Sequence, residues 1–185
     1  MGRGAGGGAS GRMGSGSRSG TEGGYSAAMR NGVLNAEKSI SGNNYESLIA
    51  FDSKGNIIYQ AKGGKDWVRY DRKQVKDAVV THNHPRGSAF SSEDLVGMVE
   101  SNMKEMRITS KNFTYSMKRP KKGWGATPVQ VSVETHVAHQ KTLAAYKSMK
   151  TGNSKTDKAL WAKLTTASNQ AIAQTFGWNF TVKNN

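Results

Sequence analysis

The chain has 185 residues, with 27 Lys and Arg against 13 Asp and Glu, a formal net charge of +14 and a hydrophobic fraction of 35%. This length allows one domain of ordinary size with an added element, but not a multi-domain protein. The absence of cysteine excludes disulfides, thiolate catalysis and Cys-ligated zinc or iron–sulfur sites, so His, carboxylate and water must hold any metal. No apolar run approaches the roughly 18 residues that span a bilayer, so we expect a soluble protein with no membrane partner.

The first 24 residues differ in composition from the rest of the chain. They hold 11 of the 22 glycines, interleaved with serine and with Arg3, Arg12 and Arg18, and no Leu, Ile, Val or aromatic residue. Burial cannot offset the entropy lost on ordering such a segment. We therefore predict a disordered tail over residues 1–24, a folded domain over residues 25–127 and a C-terminal helical extension packed on it over residues 128–185.

The first elements of the predicted domain are a helix and a hairpin. Loosely helical apolar spacing predicts a helix from Tyr25 to about Ser41. Strand-like runs follow at residues 45–51 and 56–61, and the sequence Asp-Ser-Lys-Gly between them is typical of a hairpin turn. We predict a short helix at 70–76, and then a buried strand at 77–81 that runs into His82.

The second half of the chain is richer in helix. Ser91 or Ser92, followed by Glu93 and Asp94, predicts an N-capped helix with acidic residues in its first turn. Strands are predicted at 106–109 and 113–117, followed by a basic loop and then by two helices, at 133–150 and 155–176, the second with an apolar period near 3.6 residues. This order of elements predicts an α/β (α+β) fold.

The strongest local pattern is the segment THNHPRGSAFSSED, which begins at Thr81 and ends at Asp94. Side chains alternate along a strand, so His82 and His84 point in the same general direction, and one divalent ion can accept both. The Pro-Arg-Gly turn brings the chain back, and Asp94 can then supply a third ligand. Two imidazoles and a carboxylate leave the fourth position of tetrahedral zinc open, as catalytic zinc sites require. The segment therefore predicts a zinc site.

Two further residues are candidates for catalytic roles. Glu46 begins the first hairpin strand, and a carboxylate beside an activated water can take its proton and pass it to a leaving amine. Ser91, or its neighbour Ser92, could donate a hydrogen bond to a developing oxyanion. The alternatives are two loop histidines hydrogen-bonded at a strand end, a solvent-facing Glu46, and a Ser91 that only caps a helix. Spacing alone does not place Glu46.

These residues, in this order, resemble the motif of the JAB/MPN (JAMM) metallopeptidase family: Glu46, then His82-Asn83-His84-Pro85, then Ser91-Ser92-Glu93-Asp94. The resemblance covers about residues 45–117 and is closest to the prokaryotic branch, which includes RadC-type proteins and domains of phage head-morphogenesis proteins. Six residues separate His84 from Ser91, one fewer than in the family pattern.

The resemblance implies a fold, a chemistry and a set of roles. The fold would be a cytidine-deaminase-like mixed sheet flanked by helices, and the activity a zinc-dependent hydrolysis of peptide or isopeptide bonds in a peptide or protein substrate. Glu46 would be the general acid/base, His82, His84 and Asp94 the zinc ligands, and Ser91 the oxyanion donor. The location would be the bacterial host cytoplasm or a phage particle.

The basic charge supports a second hypothesis, a non-catalytic module that binds nucleic acid or an assembling phage particle, or a RadC-like protein that acts near DNA. A basic face binds phosphates without reading sequence. The contributors that stand out are Lys118, Arg119, Lys121, Lys122, Lys147, Lys150, Lys155 and Lys158. His136 and His139 lie three residues apart on a predicted helix without an acidic partner, so packing or surface roles are favoured over a second metal site.

Overall fold

The computed structural model describes residues 24–185, so the tail predicted for residues 1–24 lies outside the described residues except for Gly24. Four helices and six strands follow in the order α1 (Ala27–Ile40), β1 (Ser47–Phe51), β2 (Ile57–Lys62), β3 (Val79–Asn83), α2 (Ser92–Glu100), β4 (Glu105–Thr109), β5 (Phe113–Lys118), α3 (Pro128–Met149), α4 (Ser154–Phe176) and β6 (Asn179–Asn184). None of the helices in this described part is long and apolar enough to cross a membrane.

Local side chains fix where the helices begin. Ser26 and Ser91 cap α1 and α2 by accepting hydrogen bonds from backbone N–H groups in the first turn. Thr127 and Gln130 form a reciprocal capping box at the start of α3, with Pro128 in its first turn. These bonds satisfy amide groups that have no partner within the helix, which is why the helix starts can be predicted from short motifs.

The strands form one mixed sheet in the order β2-β1-β3-β4-β5-β6. Strands β3 and β4 are parallel, with α2 between them in the chain, and every other neighbouring pair is antiparallel. The predicted hairpin is confirmed as β1 and β2, and all five residues of the central strand β3 are buried. The mixed α+β class is therefore confirmed.

Helices cover the two faces of the sheet unequally. Helix α1 packs Met29, Val33 and Ile40 against Phe51 and Val79 on one face. The larger core lies on the other face, where α2, α3 and α4 meet the sheet; its fully buried side chains include Leu95, Met98, Met106, Ile108 and Tyr115. The chain after α4 joins this core, since Trp178 is buried and its indole N–H donates to the carbonyl of Trp124.

Two features differ from the sequence predictions. Residues 72–77 form turns instead of the helix predicted at 70–76. The carboxylate of Asp71 accepts a hydrogen bond from the backbone of Lys73, and Asp77 has a φ of 56°, so local side-chain bonding and a left-handed residue replace a helical turn. The sequence analysis also missed β6, which pairs with β5 along its whole length.

Replacement by alanine is expected to have opposite effects on stability at two glycines that lie inside helices. A Cβ at Gly97 in α2 would lie 2.3 Å from the hydroxyl oxygen of Tyr70, whereas one at Gly32 in α1 would meet its nearest atoms at 3.7 Å, an ordinary contact. We expect Gly32→Ala to stabilise the protein by about 0.5–1 kcal/mol through helix propensity. Gly97→Ala should instead destabilise it by about 1–3 kcal/mol because the partly buried ring of Tyr70 would have to shift to make room. Urea unfolding of both variants tests this, and a stabilised Gly97→Ala would contradict it.

Candidate metal centre

The pairing of β1 with β3 places Glu46 beside the histidines. The two strands are antiparallel, and Leu48 lies opposite His82. Continuing this register by two residues puts Glu46 opposite His84, just beyond the end of the ladder. Glu46, His82 and His84 are all buried, and within residues 24–185 they are the one group of three or more His, Asp or Glu side chains whose ligand atoms lie within 4.8 Å of one another. These three residues could therefore hold a metal ion.

Asp94 reaches the same point from the start of α2. Its two carboxylate oxygens lie 3.2 Å from Nε2 of His82 and 3.4 Å from Nε2 of His84. The two Nε2 atoms are 3.0 Å apart, while the nearest oxygen of Glu46 is 3.9 Å from Nε2 of His84. Asp94 thus contacts both histidines although the loop between His84 and Ser91 has only six residues.

These separations suit a tetrahedral ion. Ligand atoms held about 2.0–2.1 Å from zinc in a tetrahedron lie about 3.3–3.4 Å from one another. The two Nε2 atoms are 3.0 Å apart, and each lies close to a different oxygen of Asp94, Oδ1 at 3.2 Å from His82 and Oδ2 at 3.4 Å from His84, so the Asp94 carboxylate would have to turn one oxygen toward both histidines to complete that arrangement. A set of two imidazoles and one carboxylate is also a zinc-binding set.

Hydrogen bonds on the far side of His84 fix which of its nitrogens faces the centre. Its Nδ1 lies 3.1 Å from the carbonyl oxygen of Ser88. The hydroxyl oxygen of Ser88 lies at the same distance of 3.1 Å from Nδ1. A neutral His84 with its proton on Nδ1 donates to the Ser88 carbonyl and directs the lone pair of Nε2 toward His82 and Asp94, whereas an unprotonated Nδ1 accepts from the Ser88 hydroxyl. Metal-binding histidines generally have such a second partner. The Nδ1 atom of His82 is buried and has no hydrogen-bond partner among the described residues, whichever nitrogen carries the proton.

Asn83, between the two histidines, holds the backbone on both sides of Glu46. It is fully buried. Its side-chain oxygen accepts a hydrogen bond of 2.7 Å from the N–H of Ser47, and its side-chain nitrogen donates one of 2.9 Å to the carbonyl of Tyr45. Asn83 therefore extends the β1–β3 ladder by imitating a peptide group. The sequence analysis did not identify this role, because only the strand register shows which residues face Asn83.

The same environment changes the acidity of the clustered groups. Burial raises the pKa of the Glu46 carboxyl to about 7, with His84 opposing the shift and Asp94 and Asp66 adding to it. Burial also acts to raise the pKa of Asp94, but His82 and His84 outweigh it and hold the pKa well below its usual value. Burial lowers the pKa of His84, but the hydrogen bond and charge of Asp94, together with Glu46 and Ser88, outweigh it and raise the pKa. The carboxylate of Asp94 is thus ionised near neutral pH. The nearby Glu46 carboxyl has a pKa close to neutral, as general acid/base chemistry requires.

Ser91 caps α2 and helps to hold Asp94. Its hydroxyl oxygen accepts a hydrogen bond of 3.1 Å from the N–H of Asp94, and its own N–H donates one of 2.7 Å to a carboxylate oxygen of Asp94. The structure therefore confirms Ser91 as a helix cap. The hydroxyl proton is not used in this capping box, so the oxyanion role stays a prediction.

The histidines of α3 lie elsewhere. His136 and His139 line a cavity of about 380 Å³ between the 88–93 segment, α3 and α4. The ring of His139 makes an edge contact with Trp161, at 6.2 Å between ring centroids. Neither histidine belongs to the clustered group around Glu46.

Comparison of the chain with protein-family models, with curated proteins and with solved structures finds no match. The geometry around His82, His84, Asp94 and Glu46 is therefore the basis for assigning a function.

Proposed function

We propose that the protein is a zinc-dependent hydrolase of peptide or isopeptide bonds with a JAB/MPN-like fold. The observation that carries the proposal is the convergence of His82, His84 and Asp94, with the two Nε2 atoms 3.0 Å apart and one Asp94 oxygen within 3.4 Å of each, beside the buried carboxylate of Glu46. Two alternatives fit the structure less well. Histidines that are only hydrogen-bonded at a strand end do not explain why Asp94 from a separate helix contacts both of them, and Glu46 does not face solvent, because it is only 7% exposed.

The residues divide into ligands and proton carriers. His82, His84 and Asp94 would hold the zinc ion, which supplies Lewis acidity and an open position where water is activated near neutral pH. Glu46 lies 3.9 Å from Nε2 of His84, farther than Asp94, and would take a proton from the attacking water and return it to the departing amine. Asn83 fixes the backbone at both neighbours of Glu46, which limits how far this carboxylate can move.

Ser91 would complete the site from the side of α2. Its hydroxyl proton can point toward a carbonyl oxygen held near Asp94, where a hydrogen bond to the developing negative charge lowers the barrier. The fold is compatible with this assignment. The sheet has helices on both faces, and the start of β1, the end of β3 and the start of α2 lie at the same end of it. The location in a bacterial cytoplasm or phage particle remains part of the proposal.

The proposal is tested by separating metal binding from catalysis. Purified wild-type protein should contain about one zinc per chain and should cleave members of a peptide or lysine-isopeptide library, detected as new amino groups by mass spectrometry. Glu46→Gln should retain zinc but lose activity by about 10²–10⁴-fold, the usual worth of a general acid/base. Glu93→Gln, an exposed carboxylate of the same helix turn as Asp94, is the matched control and should keep both properties.

Two results would contradict the proposed function. If the wild-type protein neither retains nor binds zinc, the proposed metal centre does not exist. The proposed hydrolytic role is wrong if zinc-loaded wild-type protein cleaves neither library. It is also wrong if Glu46→Gln keeps an activity within tenfold of that of the wild type.

A further inference from the structure

Residues 88–93 contact both the metal centre and the cavity lined by α3 and α4. Ser88 lies 3.1 Å from Nδ1 of His84, and the N–H of Ser91 donates to Asp94. The same segment forms one wall of the cavity of about 380 Å³. Because a cavity supplies no packing atoms, directed bonds from α3 and α4 become important for where this segment lies.

One of these bonds joins α4 to the peptide group between Phe90 and Ser91. The side-chain nitrogen of Asn169 donates a hydrogen bond of 3.2 Å to the carbonyl of Phe90. The N–H of the same peptide group belongs to Ser91 and donates a bond of 2.7 Å to Oδ2 of Asp94, the oxygen that lies 3.4 Å from Nε2 of His84. A single planar peptide group therefore connects Asn169 to the carboxylate at the metal centre.

The planarity of the peptide group makes this connection directional. Its C=O and N–H point in opposite directions, so a bond that fixes the carbonyl also fixes the N–H. Hydrogen bonds in such a chain also polarise and strengthen one another. The ring of Phe90 is buried in the large core, with its centroid 6.3 Å from that of Phe180, but packing of the ring does not by itself set the direction of the peptide. Asn169 supplies that direction.

A second bond joins α3 to the first residue of α2. The hydroxyl oxygens of Ser92 and Thr135 are 2.6 Å apart. The Thr135 hydroxyl also lies 3.1 Å from the carbonyl of Ser132, so it can donate to its own helix while it accepts from Ser92. Thr135 is only 3% exposed, so the bond is shielded from water. Ser91, the cap of α2, is thus held through both of its neighbours.

Stability alone does not account for the asparagine at position 169. Asn169 is 4% exposed, and its Oδ1 atom is buried without a hydrogen-bond partner among the described residues. A buried polar side chain with an unsatisfied atom costs free energy that an apolar residue would not. The bond from its nitrogen to the Phe90 carbonyl offers a functional reason for this residue.

We infer that Asn169 and Thr135 are positioning residues of the metal centre, which act through Ser91 and Asp94. Asn169 sets the direction of the N–H that holds the Asp94 carboxylate, and Thr135 sets the position of the first turn of α2. The inference rests on the metal centre of the proposed function. It extends the support of that centre to α3 and α4, which begin after residue 127 and lie outside the part of the chain covered by the family resemblance.

The test measures metal affinity and metal geometry when each bond is removed from the full chain. Asn169→Ala should weaken zinc binding about tenfold in competition with a chromogenic chelator, at the low end of the usual effect of losing a bond that orients a ligand. Thr135→Val should weaken zinc binding as well, and Thr135→Ser, which keeps the hydroxyl, should restore it. With Co²⁺ in place of zinc, Asn169→Ala should also change the visible absorption spectrum, because that spectrum depends on the coordination geometry.

Two buried residues that line the same cavity provide matched controls. Thr142→Val removes a hydroxyl from α3, and Ile172→Val shortens an apolar side chain on α4. Neither change breaks one of the two bonds. Both variants should therefore keep the zinc affinity and the Co²⁺ spectrum of the wild type, whatever their effect on the melting temperature without metal.

Three results would overturn the inference. Unchanged zinc affinity in Asn169→Ala would overturn it alone, since the proposed function would still stand. Equal losses in the control variants, or a loss in Thr135→Ser as large as that in Thr135→Val, would overturn it because general destabilisation would then explain the effect. Wild-type protein that binds no zinc would overturn the inference together with the proposed function.

Discussion

Alanine at His82, His84 or Asp94 is expected to weaken zinc binding by more than about 100-fold. Replacing a residue that only orients a ligand typically costs 10–100-fold in metal affinity, and loss of a direct ligand should cost more. In the proposed centre these three side chains are the ligands, since the two Nε2 atoms lie 3.0 Å apart and each has an Asp94 oxygen within 3.4 Å. Competition with a chromogenic chelator, followed by metal analysis of the dialysed protein, measures the effect.

The same measurement identifies the third ligand. Glu46 also belongs to the group whose ligand atoms lie within 4.8 Å, so two carboxylates compete for that role. Because Asp94 contacts both histidines and Glu46 lies 3.9 Å from one of them, Asp94→Asn should weaken zinc binding far more than Glu46→Gln does. The reverse order would assign the metal to Glu46, His82 and His84 and would leave Asp94 as a hydrogen-bond partner of the two histidines.

A control separates ligand loss from damage to the fold. His82 is 1% exposed, so its replacement also opens a small cavity, and the melting temperature of each variant should be measured without metal. His139→Ala removes an exposed histidine of α3 and should leave zinc binding unchanged. Full retention of zinc in the His82→Ala/His84→Ala double variant would remove the metal centre altogether.

The parts of the site that sequence could predict depend on local geometry. Alternation along β3 brings the Nε2 atoms of His82 and His84 to 3.0 Å, and a capping box holds Asp94 at the start of α2. Glu46 could not be placed in this way, because its position depends on the pairing of β1 with β3, which are separated by the hairpin and a turn-rich segment. The register between those strands, and with it the role of Asn83, is a tertiary property.

The same distinction explains the errors in the predicted fold. The Asp-Ser-Lys-Gly hairpin and the starts of α2 and α4 follow from short-range hydrogen bonds and were predicted close to where they lie. Strand β6 is short and pairs with β5, more than 60 positions earlier in the chain, so no neighbouring motif indicates it. At residues 72–77, the Asp71 carboxylate bonds to a nearby amide, and this competed successfully with a helical pattern only about two turns long.

Replacing Arg107 with methionine is expected to destabilise the protein by about 3–5 kcal/mol, the cost of leaving a buried charge without its partner. Arg107 on β4 makes two bonds to Glu37 on α1, at 2.6 and 3.3 Å, and one of 2.8 Å to Glu105 on its own strand. Glu37 and Glu105 are only 5% and 3% exposed. The variant would therefore keep two buried carboxylates and remove the cation that both share. Guanidinium unfolding followed by circular dichroism gives the change in free energy.

Two further sets of variants test whether the unpaired buried charges cause the loss of stability in Arg107→Met: one removes an exposed ion pair, and the other also neutralises the two buried carboxylates. Arg72 and Glu100 form an ion pair with side chains 57% and 38% exposed, so Arg72→Met should cost less than about 1 kcal/mol. Adding Glu37→Gln and Glu105→Gln to Arg107→Met should recover much of the lost stability, since neutral amides need no cation and Ser116 already donates a hydrogen bond to the position 105 side chain. If the triple variant is no more stable than Arg107→Met alone, the cost comes from lost packing of the arginine stem between α1 and β4, and the buried carboxylates do not account for it.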